Sequence, residues 1–227
     1  MSGSRHIAVI CALWVMSQAV AGMAQTPVPE NYGQALAWYE KAAREGNADA
    51  QYLLARALEE GLGRPVDVKA AAIWYEVAAE AGHGGAQLAL GQIYMHGRGV
   101  KRNPAAAAKW FEAAARQSLV RAQYNLAIMM ERGQGIARDL AGAAKWYQKA
   151  AHGELGPAQL ALAILYVRGR GVKRDPGRAL MWLEIAAAKG QKVPGAIREY
   201  VAKALKPAER EKAEKLAREW LSLHVKP

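Results

Sequence analysis

Five tryptophans stand 36 residues apart in this chain: Trp38, Trp74, Trp110, Trp146 and Trp182. A constant period of this length restricts the fold to a stack of one supersecondary unit, because a single unit has too little apolar surface to bury its own face. Other columns keep the same step. The residue after each Trp is Tyr39, Tyr75, Phe111, Tyr147 or Leu183. Small pairs follow at Ala42-Ala43, Ala78-Ala79, Ala114-Ala115, Ala150-Ala151 and Ala186-Ala187. Ala-Gln recurs at Ala50-Gln51, Ala86-Gln87, Ala122-Gln123 and Ala158-Gln159, and leucines recur at Leu54, Leu90, Leu126 and Leu162. Each of those segments ends in Gly-x-Gly, at Gly61/Gly63, Gly97/Gly99, Gly133/Gly135 and Gly169/Gly171.

Each unit parses as two helices, A and B. In the second unit Ala71, Trp74, Tyr75, Ala78 and Ala79 fall at i, i+3, i+4, i+7 and i+8, an apolar stripe of helical period. Helix A is expected over roughly 67–81 and helix B over roughly 85–96, with Gly82 and Gly97 closing them. Asp67, Asn103, Asp139 and Asp175 are placed to cap successive A helices, and Pro104 and Pro176 follow at a first helical position, where a missing N–H costs nothing. The Trp ladder is expected to face inward and fill the space between stacked units.

Composition fits this picture. Hydrophobic residues make up 52% of the 227, and many of them are alanines, which let helix axes approach closely. The segment Lys69-Ala70-Ala71-Ala72-Ile73-Trp74-Tyr75-Glu76-Val77-Ala78-Ala79, with Gly82, Ala86-Gln87, Leu90-Gly91, Tyr94 and Gly97-Arg98-Gly99-Val100, resembles the Sel1-like repeat, a longer relative of the tetratricopeptide repeat. That resemblance spans about Tyr32 to Lys189. It implies an all-α, right-handed α-solenoid of about five 36-residue helix–turn–helix repeats. It also implies an adaptor or scaffold that binds other proteins, in bacteria commonly at the cell envelope.

The two ends depart from the repeat. Residues 1–24 carry Arg5, an apolar run from Ile7 to Val15 and small-residue cleavage patterns ending at Ala21 or Ala24, which together read as a secretory signal peptide. The run is too short for a span of about 20 residues. The only cysteine, Cys11, would leave with the signal, so the mature chain is expected to be exported and free of disulfides. Residues 25–31 form a short linker and 32–190 the solenoid. Residues 191–227 form a divergent last repeat helix and a capping helix opened by Pro207, with Ala213, Leu216, Ala217 and Trp220 on its apolar side.

Chemistry-bearing constellations are sparse. His6, His83, His96, His152 and His224 lack the i, i+3 or i+4 spacing of a metal site, so no metal and no cofactor is expected. His83 and His152 are placed near A-helix C-termini, where positive charge is favourable. The only serines beyond the signal, Ser118 and Ser222, lie outside any nucleophile-elbow context. The Gly-x-Gly turns lack the Lys-Ser/Thr of a phosphate loop. These features argue for a non-enzymatic protein, with a hydrolase of unrecognised type as the distant alternative.

Two surfaces remain as candidates for partner binding. The formal net charge of +11 includes basic residues ordered along the inter-unit turns: Arg98, Lys101, Arg102, Arg138, Arg170, Lys173 and Arg174. Such a ridge would complement helix dipoles, or would meet an anionic envelope polymer or membrane surface; nucleic acid is not an expected partner of an exported chain. The other surface is the side of helix A away from the Trp stripe. Ile73 and Val77 in the second unit and Met181 and Ile185 in the fifth interrupt an otherwise polar stripe, with Lys109, Lys145 and Lys149 between them. In the related repeats this side lines the concave surface. The expectation is therefore a groove with apolar anchors in units two and five that holds a protein or peptide.

Overall fold

A computed structural model of the chain describes residues 32–224; the expected signal segment, the linker at 25–31 and residues 225–227 lie outside that range. Eleven helices occur among the described residues. The A helices are α1 (Tyr32–Arg44), α3 (Val68–Glu80), α5 (Pro104–Arg116), α7 (Leu140–His152) and α9 (Pro176–Ala188). The B helices are α2 (Ala48–Glu60), α4 (Gly84–His96), α6 (Val120–Arg132) and α8 (Gly156–Arg168). Two more follow, α10 (Gly195–Lys203) and α11 (Pro207–His224). Each helix from α1 to α10 packs chiefly on its chain neighbours, and helix B contacts the following A helix more extensively than the A helix before it. The result is the expected all-α solenoid with neighbour-only packing.

Local chemistry sets the helix ends. Asp67, Asn103, Asp139 and Asp175 each accept the N–H three residues on, at 2.8–3.1 Å, as caps of α3, α5, α7 and α9. Gly61, Gly97, Gly133 and Gly169 close the four B helices in the left-handed conformation, at φ of 71°, 69°, 66° and 64°. A B helix is tied to the preceding A helix by the repeated glutamine. Gln51, Gln87, Gln123 and Gln159 are buried, and each side-chain amide donates to the carbonyl of Ala43, Ala79, Ala115 or Ala151 at 3.0–3.4 Å. Burying an amide is tolerable only with such a partner.

The core stripe is rotated by one residue from the sequence expectation. In α3 the buried residues are Ala71, Ala72, Tyr75, Ala78 and Ala79, and the inward aromatics along the stack are Tyr39, Tyr75, Phe111 and Tyr147, followed by Leu183. Trp38, Trp74, Trp110 and Trp146 are only half-buried, at the margin between core and solvent. One residue is 100° of helix, so when the second aromatic of each pair points at the core the first is turned toward its margin. The Trp ladder therefore marks the repeat without forming its centre. Trp182 is the exception and is buried; its ring lies 5.9 Å from that of Trp220 on α11. Burial, and then hydrogen bonds to Glu59 at 2.7 Å and Glu131 at 2.9 Å, push the Tyr75 and Tyr147 phenols far above their ordinary range.

The fifth unit closes the stack differently from the others. α11, rather than the short α10, makes the larger contact with α9 and takes the place of a B helix there. Ala213 and Ala217 are buried and Trp220 is partly so, whereas Leu216, expected on the apolar side, is exposed. The terminal face is otherwise charged, with Arg210–Glu214 at 2.9 Å, as a solenoid end requires.

His83 also differs from expectation. It caps α4 rather than complementing the end of α3. Its Nδ1 accepts the Ala86 N–H at 3.0 Å, its Nε2 lies 3.3 Å from Asp49 Oδ1, and its ring stacks on Tyr52 at 4.4 Å. Accepting through Nδ1 requires the neutral imidazole. Burial lowers its pKa, partly opposed by the Asp49 carboxylate. The unfolded chain then binds the proton at a higher pH than the folded one, so His83 stabilises fully above about pH 6.5 and that stability fades as pH falls toward the lower folded value. His83→Asn, which copies the cap at Asn47, is expected to flatten this part of the pH dependence. Urea midpoints of both proteins from neutral to mildly acidic pH check this; parallel curves would contradict it.

Candidate functional site

The outward side of the A helices presents a graded surface. On α3, Ile73 is 63% exposed and Val77 is 40% exposed, one turn apart. On α5 Lys109 is exposed, and on α7 so are Lys145 and Lys149. The structure thus brings the apolar pair of unit two and the three lysines to corresponding positions of successive A helices. Lys149 Nζ sits 4.3 Å from the centre of the Trp146 ring, which gives the half-exposed tryptophan a role in orienting a cation.

Unit five does not join this surface as expected. Ile185 is 0% exposed, inside the cluster that holds Val201 of α10 and Ala213 and Ala217 of α11. Met181 is partly buried against the same cluster. Glu184 pairs with Arg198 of α10 at 2.5 Å. α10 and α11 turn back over α9, a contact between distant parts of the chain that no local pattern announces. Ile185 is a core residue, and the second apolar anchor is removed from the groove.

The basic ridge is divided. Arg98 pairs with Glu59 at 2.8 Å, Arg102 Nε donates to the Met95 carbonyl at 3.0 Å, and Arg138 Nε donates to the Glu131 carbonyl at 3.1 Å. Those carbonyls lie in the last turns of α4 and α6, so two of the arginines complete helix C-termini. Lys101, Lys173 and Arg174 are exposed and Arg170 is half-exposed.

A feature without a sequence signal is an open cleft of about 650 Å³ between α5 and α7, lined among others by Arg116, Gln123, Lys145, Gln148, Lys149 and His152. Sequence reasoning placed Lys145 and Lys149 on this side, and the cleft adds Arg116, Gln123 and His152 to them. No helix among the described residues is long and apolar enough to cross a membrane.

A Sel1 repeat family profile matches residues 20–47, 48–83, 85–119, 120–154 and 156–191. The profile's unit from 48 onward is a B helix with the A helix that follows it, which is the more extensively packed pair. Among solved structures, a protective antigen of uropathogenic Escherichia coli with an SLR fold is 33% identical over 94% of this chain and 45% of that one, with a TM-score of 0.74. A Sel1 repeat protein from Oxalobacter formigenes is 32% identical over 78% of this chain and 50% of that one, with a TM-score of 0.67. The chain spans about half the length of these two proteins. Comparison with curated proteins gives no match. Sel1 repeat proteins generally mediate protein–protein interaction, and their fold is typically a non-catalytic scaffold. With five repeats matched across the greater part of its length, this chain belongs to the Sel1 repeat family.

Proposed function

We propose that this chain is a non-enzymatic interaction scaffold of the bacterial cell envelope, exported by the signal at residues 1–24, and that it holds a protein or peptide along the outward side of its A helices. The observation that carries the reading is the exposed pair Ile73 and Val77. Neither has a structural reason to be apolar. The matching positions are Lys109 and Ala113 on α5, and Lys145 and Lys149 on α7. Exposed β-branched residues beside a cationic stretch suit a segment that offers an apolar anchor followed by acidic residues. Support for export comes from the composition of residues 1–24 alone. The ridge reading, an anionic envelope polymer held at the turns, is weakened because Arg98, Arg102 and Arg138 already have partners within the chain.

The test is site-specific photocrosslinking in intact cells of the native bacterium, followed by fractionation. A photoreactive residue at Ile73 or Lys145 reports the A-helix side; one at His96 or Arg132, both exposed on B helices, reports the other side. Crosslinked species in the envelope fraction formed from Ile73 and Lys145 are expected. Crosslinks confined to His96 and Arg132 would overturn the reading.

A further inference from the structure

The A–A junctions of the solenoid are not equivalent, and one column decides how they differ. Positions 81, 117, 153 and 189 follow the ends of successive A helices and carry Ala81, Gln117, Gly153 and Lys189. Gln117 crosses the α3–α5 junction: its Nε2 donates to the Gly82 carbonyl at 3.0 Å and to Gln87 Oε1 at 2.9 Å. Lys189 crosses the α7–α9 junction to Glu154. Gly153, at the α5–α7 junction, has no side chain with which to cross. The opposite wall differs in compensation. Gly84 leaves room for Gln117, whereas its counterpart Val120 occupies that room, 2.5 Å from where a Cβ on Gly153 would stand.

The missing crossing leaves the cleft between α5 and α7 open, and the repeated glutamine of this unit borders it. Gln123 is 6% exposed, lines the cleft and donates to the Ala115 carbonyl through Nε2. Its Oε1 receives no hydrogen bond among the described residues; the same holds at Gln51 and Gln159, whose oxygens are buried, and the equivalent oxygen of Gln87 is taken by Gln117. The walls carry one sign of charge. Arg116, Lys145, Lys149 and His152 line the cleft and no Asp or Glu does. α7 contains no acidic residue at all. Arg116 is engaged by Glu112 at 2.7 Å, but no ion pair involves Lys145 or Lys149 among the described residues.

We propose that this cleft is the docking site for an acidic, extended segment of the protein partner, a reading that rests on the scaffold function above. The floor supplies an acceptor, Gln123 Oε1, for a main-chain N–H, and the walls supply Lys145 and Lys149 for flanking carboxylates. An N–H beside carboxylates is a feature of an acidic peptide. A polyanion without donors would satisfy the walls and leave the floor unpaired.

The experiment is fluorescence polarisation with a short fluorescein-labelled oligoglutamate, and with inorganic polyphosphate as a second probe by competition. Three variants separate the causes. Val120→Gly/Gly153→Gln copies the Gly84–Gln117 arrangement and closes the cleft without changing charge. Lys145→Gln/Lys149→Gln removes the walls' free cations. Leu223→Ser, at an exposed position of α11, lies outside the cleft. Oligoglutamate is expected to bind the wild type, to weaken about tenfold or more with each double variant, and to be unaffected by Leu223→Ser. Oligoglutamate binding left unchanged by the closing variant, with helicity intact by circular dichroism, would overturn the proposal. Polyphosphate competition that depends on the lysines and ignores closure, with oligoglutamate behaving likewise, would also overturn it in favour of a charge-only polymer surface. Should the closing variant lose helicity, the lysine variant decides, and undiminished oligoglutamate binding overturns the proposal. Loss of the cleft assignment with crosslinking retained from Ile73 leaves the scaffold reading standing; loss of that crosslinking removes the scaffold reading itself.

Discussion

Phe111→Ala is expected to destabilise the protein by about 3–5 kcal/mol, and the adjacent Trp110→Ala by roughly half as much or less. The order is the reverse of what side-chain size suggests. Phe111 is 2% exposed, and its ring lies against Gly91 of α4 so closely that a Cβ added there would stand 2.6 Å from Cε1. Removing the ring leaves a cavity between α4 and α5, at one of the solenoid's larger contacts. Trp110 is half-exposed and packs at the margin of the core cluster of the preceding units. Its truncation withdraws apolar area but opens the site to water rather than leaving a void. Urea denaturation of the two variants beside wild type gives the comparison. A larger loss at Trp110 would mean that the ladder, not the residue after it, is the core.

Gly171→Ala is expected to be far more damaging than Gly190→Ala. Both glycines have positive φ, 72° and 78°, so both substitutions bear a conformational cost of about 1–2 kcal/mol. They differ in their surroundings. Around Gly190 nothing lies within 4 Å of an added Cβ. At Gly171 the Cβ would overlap the Leu140 carbonyl, backbone of the first turn of α7. Backbone cannot step aside as a rotamer can. The turn after α8 must therefore withdraw from α7, adding about 1–3 kcal/mol or more to the conformational cost. Gly99, Gly135 and Gly171, each the second glycine of a Gly-x-Gly, thus let a unit's closing turn rest on the start of its own A helix. Thermal melts of the two alanine variants test this; equal shifts would reduce Gly171 to a conformational role alone.

The repeat, the helix pairs and the A-helix caps were legible in the sequence because each depends on local spacing. Asp67, Asn103, Asp139 and Asp175 cap by reaching three residues along their own chain, and a spacing rule captures that. The phase of the core stripe was not legible. Two aromatics side by side both satisfy a helical period, and only the packed neighbour, such as the hollow at Gly91, selects the second. Ile185 was misplaced for a related reason: its cover comes from α10 and α11, which return over α9 after the repeat pattern has ended. The ridge was half legible. Basic residues at successive turns are visible in sequence, but their carbonyl and carboxylate partners are set by the fold. The cleft arises from an exchange of bulk between columns, Val120 for Gly84 and Gly153 for Gln117, which acquires meaning only once the two columns are known to face each other.

The central claim is that partners meet the A-helix side of this solenoid. Its most direct measurement is the ratio of photocrosslinking yield from Ile73 to that from His96 under identical conditions in intact cells. A ratio of about ten or more is expected, since a residue in the interface is held against the partner while one on the opposite side is not. A ratio near one, or an excess at His96, would contradict it.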